Sequence, residues 1–186
     1  MGTLSLCFKR TVTAFLALMF LSSAAFAQEN SLDPLFEELL QADDNSHVAV
    51  ATEILNELER SGSAAMDLLY RRGSEALEEA EFGIAAEHFT ALVDHAPEFA
   101  EGYHGRANAY FNLGYIGPAL DDLRIALELE PRHFQALLGL GNIMETLDRP
   151  EDAKEVYQAV LEIYPLDPNA LSAIDRINLI LEGQSL

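Results

Sequence analysis

Pro97, Pro131 and Pro165 stand at two successive intervals of 34 residues, and each closes an apolar-periodic run. A proline ring removes a backbone donor and clashes with the preceding turn, so a helix ends there and another must begin beyond it. The junction is written three times, as "VDHAPEFAEGYHGRAN", "LELEPRHFQALLGLGN" and "LEIYPLDPNALSAI". A fixed period of this length is the mark of stacked helix–turn–helix units, none of which can bury its apolar face alone. No strand pattern of useful length competes with it. The expected fold is all-α.

Aligned on that period, the units are Met66–Phe99, Ala100–His133 and Phe134–Asp167. Equivalent positions agree in size. The fourth is bulky (Leu69, Tyr103, Leu137) and the eighth is small (Gly73, Ala107, Gly141). The twentieth is Ala85, Ala119 and Ala153, and the twenty-fourth is large (Phe89, Leu123, Tyr157). The twenty-seventh is Leu92, Ala126 and Val160. Small residues at positions 8 and 20 let the two helices of a unit approach closely, where a large side chain would push them apart. In these positions and in its helix-ending prolines the chain resembles the tetratricopeptide repeat (TPR) family, from about Met66 to Asp167. That resemblance implies a right-handed helical solenoid of stacked helix–turn–helix repeats with capping helices.

Some positions depart from the family pattern. Position 7, usually leucine, is Arg72, Arg106 and Leu140; position 11 is Ala76, Tyr110 and Met144. A buried Arg106 needs an anionic neighbour, and Asp122, beside Leu123 on the second helix, is the expected partner in a structural pair.

Segments outside the period complete the expected organisation. Residues 1–27 read as a signal peptide: Lys9 and Arg10, an apolar run from Val12 to Leu21, then Ala25-Phe26-Ala27 before Gln28. Cleavage after Ala27 directs the protein to the periplasm or outside the cell. Residues 33–62 read as a divergent helical pair and residues 168–182 as a capping helix. The pair carries Leu35, Phe36, Leu39, Leu40, Val48, Ile54, Leu55 and Leu58, with "RSGSA" around Gly62 as the break before the first repeat. The pair and the last helix are expected to cover the two ends of the stack. Asp33-Pro34 and Asp167-Pro168 each read as an N-cap followed by proline at the first helical position. Leu171, Ile174, Ile177 and Leu181, extended by Ile180, are expected to form the buried face of the last helix.

Charge narrows the partners. Of 11 basic residues, Lys9 and Arg10 precede the expected cut, leaving nine against 31 acidic residues, with Lys154 the only lysine. Such a polyanion gains nothing from phosphate counterion release, so nucleic acid and anionic membranes are poor partners and a basic protein or peptide is favoured. The strong net charge also favours a monomer. Cys7 is the only cysteine and lies in the signal, so the folded part has no disulfide, no thiol nucleophile and no thiolate metal site. The chain carries no Gly-rich phosphate loop, metalloprotease helix or calcium loop. His88 and His95 are two helical turns apart, and none of the five histidines has a metal-favoured spacing with a third ligand near it. No catalytic residue, metal or cofactor is expected, and the chain is read as a non-enzyme.

The resemblance implies a binding surface. In the family, positions 2, 5, 9, 12 and 13 of each first helix line a concave groove. Here these are Asp67, Tyr70, Ser74, Leu77 and Glu78; Glu101, His104, Asn108, Phe111 and Asn112; and Gln135, Leu138, Asn142, Glu145 and Thr146. From these, Tyr70, Ser74, Leu77, His104, Asn108, Phe111, Asn112, Gln135, Leu138 and Asn142 are the candidate groove residues. Asn108 and Asn142 share position 9, where an amide both donates to and accepts from an extended peptide. Co-chaperones of the family that grip a C-terminal carboxylate use groove lysines and arginines. Position 5 here is Tyr70, His104 and Leu138, with Arg71 alone close by, which argues against such a clamp. The expected function is a non-enzymatic protein- or peptide-binding scaffold. A structural subunit of an envelope complex, or an accessory factor positioning substrate for an enzyme, is the alternative.

Overall fold

The computed structural model describes residues 32–184, and the predicted signal peptide lies outside them. Among the described residues are nine helices: α1 (Leu32–Gln41), α2 (His47–Leu58), α3 (Ala64–Glu78), α4 (Phe82–His95), α5 (Ala100–Asn112), α6 (Ile116–Leu129), α7 (Phe134–Thr146), α8 (Pro150–Ile163) and α9 (Pro168–Gln184). From α3 to α9 each helix packs against its neighbour in sequence, and α3, α5 and α7 also touch in series. That is a stack of helical pairs with the first helices of the repeats side by side. None of the described helices is long and apolar enough to cross a membrane.

Each pair turns by the same device. Position 15 of the repeat takes a left-handed conformation in Ala80 (φ 58°), Gly114 (φ 79°) and Asp148 (φ 58°). The next residue donates back five positions, Glu81 to Ala76, Tyr115 to Tyr110 and Arg149 to Met144, closing the helix in a Schellman motif. Only Gly114 announces this geometry by residue type. The proline junctions are equally regular: the amides of Phe99, His133 and Asp167 each donate to the carbonyl three residues back. At the last junction Asp167 Oδ1 accepts from Ala170 N–H at 2.8 Å, the cap expected before Pro168.

The large residue at position 24 is the knob that joins repeats. Phe89 is fully buried. A Cβ at Gly73 would lie 2.7 Å from its ring, and one at Gly105, on the next repeat, 2.4 Å. Tyr157 likewise stands 2.6 Å from a Cβ at Gly141. Position 8 is therefore small for the expected reason. Position 6 of the following helix, Gly105, Gly139 and Ala173, is a second small position that the sequence reading missed. The helix of the next repeat must clear the same knob, and Leu123, the smallest of the three, leaves 3.6 Å at Gly139.

The last helix continues this pattern, which corrects its expected face. Its buried residues are Ala170, Ala173 and Ile177, whereas Leu171 is 43% and Ile180 43% exposed. Ile174 and Leu181 are half-buried at the edge. Ile177 is buried as expected, but Ala170 and Ala173, rather than Leu171 and Ile180, complete the face of α9 against the preceding pair.

The N-terminal pair is also corrected. Its buried residues Phe36, Leu39, Val50, Ala51 and Ile54 belong to the cluster of the second and third repeats, while the first repeat has its own cluster around Phe89. Helix α1 contacts α8. Arg132 donates to Asp33 at 2.7 Å and lies 4.2 Å from the centre of the Phe36 ring. His47 Nδ1 pairs with the Tyr164 hydroxyl. The hairpin thus folds back onto the edge where the proline junctions lie. Asp33, expected as an N-cap, lies in the first described turn of α1, where its carboxylate holds Arg132.

Candidate functional site

A pocket of about 480 Å³ opens between α5, α7 and α9. Six of the ten candidate residues line it: His104, Asn108, Phe111, Gln135, Leu138 and Asn142. They converge because positions 5, 9 and 12 lie on one face of a helix, about one turn apart, and the 34-residue period sets α5 beside α7. Asn108 and Asn142 are exposed, and Phe111 and Leu138 are half-buried beside them. The pocket therefore combines amides that donate and accept with apolar walls, the usual makeup of a site for a polar chain with apolar side chains.

The other four lie elsewhere. Tyr70 and Leu77 pack into the first-repeat cluster, where the Tyr70 ring meets Phe89 and Phe99 edge-on at 6.1 Å each. Ser74 is half-buried one turn further along the same helix, and burial together with the charges of Glu101 and Glu59 pushes the Tyr70 hydroxyl well above the usual tyrosine range. Asn112 donates to both the Asn108 carbonyl and Asn108 Oδ1, at 2.9 Å each, and so orients that amide.

Helix α9 adds what the repeat pattern could not show. Asn169, Ser172, Ala173 and Arg176 form the remaining wall. Arg71 is thus not the only cation near the groove. Arg176 Nη2 donates to Glu145 Oε1 at 2.7 Å and its Nε to Oε2 at 3.2 Å, while the Tyr157 hydroxyl donates to Glu145 Oε1 at 2.8 Å. Its charge is held by a carboxylate at position 12 of the same groove, so the expectation against an open carboxylate clamp keeps its physical basis.

Burial pushes the Glu145 carboxyl up, but the hydrogen bonds from Arg176 and Tyr157 outweigh it and hold the group below the usual 4.5. Stabilisation from such a depressed group is full above the ordinary glutamate range and is lost as pH falls through the folded-state value. In urea unfolding between pH 7 and pH 3 (values of about this order bracket the glutamate range), wild type should lose more stability on acidification than Glu145→Gln. Equal losses would contradict this assignment.

A second polar group lies at the pocket's edge. Glu101, at position 2 of its repeat, was expected to face the groove but is buried at 2% exposure. Its Oε2 lies 3.1 Å from His104 Nδ1 and its Oε1 3.1 Å from His133 Nε2. Burial pushes the Glu101 carboxyl up, but the two imidazoles reverse this and hold it well below the usual range. His133 is fully buried, and its Nδ1 accepts from Ala136 N–H, capping α7. Spacing along the chain hides this trio because its two histidines are 29 residues apart, at the start and the end of the second repeat.

The comparisons agree with the architecture. The family model described as tetratricopeptide repeat matches residues 105–168. A TPR repeat-containing protein of Rhizobium etli is 29% identical over 161 residues, covering 86% of this chain and 78% of that protein. Hsp70-Hsp90 organizing protein 1 of Glycine max is 26% identical over 60% of this chain, which spans only 19% of that relative's length. Among solved structures, the first TPR of Spaghetti bound to the HSP90 peptide SRMEEVD superposes with a TM-score of 0.60 at 26% identity, covering 63% of this chain and 93% of that one. A thermophilic TPR protein of Thermus thermophilus gives 0.58 at 21% identity, covering 83% of each chain.

Proposed function

Because this chain is a tetratricopeptide repeat protein, we propose that it is a non-enzymatic scaffold that holds a protein or peptide segment in the pocket between α5, α7 and α9. The observation that carries this reading is the convergence of Asn108, Gln135, Asn142, Phe111 and Leu138 on one 480 Å³ recess. The two position-9 amides engage the backbone of an extended segment, and the apolar pair takes one of its side chains. The HSP90 peptide held by the Spaghetti domain supports a peptide as the kind of ligand. The N-terminal 27 residues support export to a bacterial periplasm. The excess of 31 acidic over 11 basic residues supports a basic partner and salt-sensitive association.

The test is capture from a periplasmic extract of the source cell by wild type and by a folded Asn108→Ala/Asn142→Ala double variant. A partner held through the groove should bind the double variant at least about tenfold more weakly, and its affinity for wild type should fall as salt rises. Equal binding to both baits would move the interface off the groove. Affinity independent of salt would remove the electrostatic part of the proposal.

A further inference from the structure

We propose that Glu101, His104 and His133 form a binding site for a divalent transition metal of the zinc type, bordering the groove. The donor atoms, Glu101 carboxylate oxygen, His104 Nδ1 and His133 Nε2, all lie within 4.8 Å of one another. Four-coordinate zinc holds nitrogen and oxygen ligands at about 2.0–2.2 Å, which puts ligand atoms about 3.2–3.5 Å apart. Each imidazole is already 3.1 Å from one oxygen of Glu101, His104 from Oε2 and His133 from Oε1. The three donors have to draw together by no more than about 1.6 Å for this coordination.

His133 supplies the second, independent observation. Its Nε2 is buried and has no hydrogen-bond partner. Glu101 Oε1 is near enough to attract it but lies off the line of an N–H bond, so the contact is one of distance and not of direction. A buried polar atom left in that state is unfavourable and asks for a partner. The trio also buries a carboxylate, Glu101, whose two contacts are imidazoles. A bound dication compensates that charge. Two nitrogen donors select a borderline metal over calcium or magnesium, which take oxygen.

Three protein ligands leave a fourth position, and His104 places it beside the pocket that it also lines. Loading has one structural consequence. With Nδ1 accepting from Ala136 N–H at 3.3 Å, neutral His133 carries its proton on Nε2. A metal on Nε2 moves that proton to Nδ1, and the cap on α7 is given up.

The protein, purified as the cell delivers it and stripped by chelator, is titrated with zinc chloride by calorimetry and by ¹H–¹⁵N NMR. Support is one saturable zinc per chain, with a shift of the Ala136 amide and a metal-bound Nε2 at His133. His104→Ala and Glu101→Gln should each weaken binding by at least about 100-fold, the upper range for loss of even a supporting contact. His104 is half-buried, so its variant retains the fold and decides the matter if Glu101→Gln does not. His88→Ala should bind as wild type. Absence of a one-to-one site, or equal affinity in His104→Ala and wild type, would overturn the proposal.

Discussion

Phe89→Ala should cost about 3–5 kcal/mol, the range for deleting a fully buried aromatic side chain. Phe89 is 0% exposed and stands between two helices whose Gly73 and Gly105 leave no room for even a Cβ. Backbones held apart by such a knob cannot collapse fully when it is removed, so a cavity remains and the cost lies high in that range. Its neighbours Leu92, Ala76, Ala85, Ala86 and Ala109 form a cluster distinct from that of the later repeats. The loss therefore falls first on α3 and α4. Stacked repeats respond to such local damage by separating their unfolding. Urea unfolding followed by far-ultraviolet circular dichroism should show an early transition that involves the first repeat. A single transition weakened by less than about 1 kcal/mol would mean that Phe89 is not the joint described above.

Asp122→Ala should cost about 2–4 kcal/mol. Removing one partner of a fully buried ion pair costs about 3–5 kcal/mol because the other charge is left without compensation, and here the arginine side chain keeps 16% exposure. Arg106 Nε and Nη2 donate to the two oxygens of Asp122 at 2.7 Å each, a fork-to-fork geometry. The Tyr103 and Tyr110 rings flank the guanidinium at 5.6 and 5.8 Å. The third repeat carries Leu140 and Val156 at the equivalent positions. Arg106→Leu/Asp122→Val should accordingly recover most of the lost stability, since replacing both members of a buried pair by apolar residues is often neutral. Thermal or urea unfolding of the three proteins decides this. A double variant as unstable as Asp122→Ala alone would show that the pair itself is stabilising.

The repeat architecture was legible because its causes are local or periodic. Proline is excluded from a helix interior beyond the first turn, and a small residue every 34 positions reports a close approach that recurs every 34 positions. Arg106 and Asp122 were pairable for the same reason, as members of adjacent helices in one repeat. Gly105 and Gly139 carried the same periodic signal and could have been read from it. Ala80 and Asp148 could not, since neither residue type announces a left-handed turn that the pair of helices imposes on it.

What the sequence by itself determined is thus the stack: its helices, its period, and a groove face bearing Asn108, Phe111, Leu138 and Asn142. Tertiary structure alone decided what surrounds that face. The Asp33–Arg132 contact spans 99 residues and fastens the N-terminal hairpin to the proline edge. The Arg176–Glu145 contact spans 31 and completes the pocket from the last helix. Glu101, His104 and His133 meet because the end of the second repeat returns beside its own start. Local propensity and nearest-neighbour packing leave a periodic trace in a chain. Contacts between a non-repeating segment and a repeat leave none, because their geometry depends on the rotation and offset of whole helices.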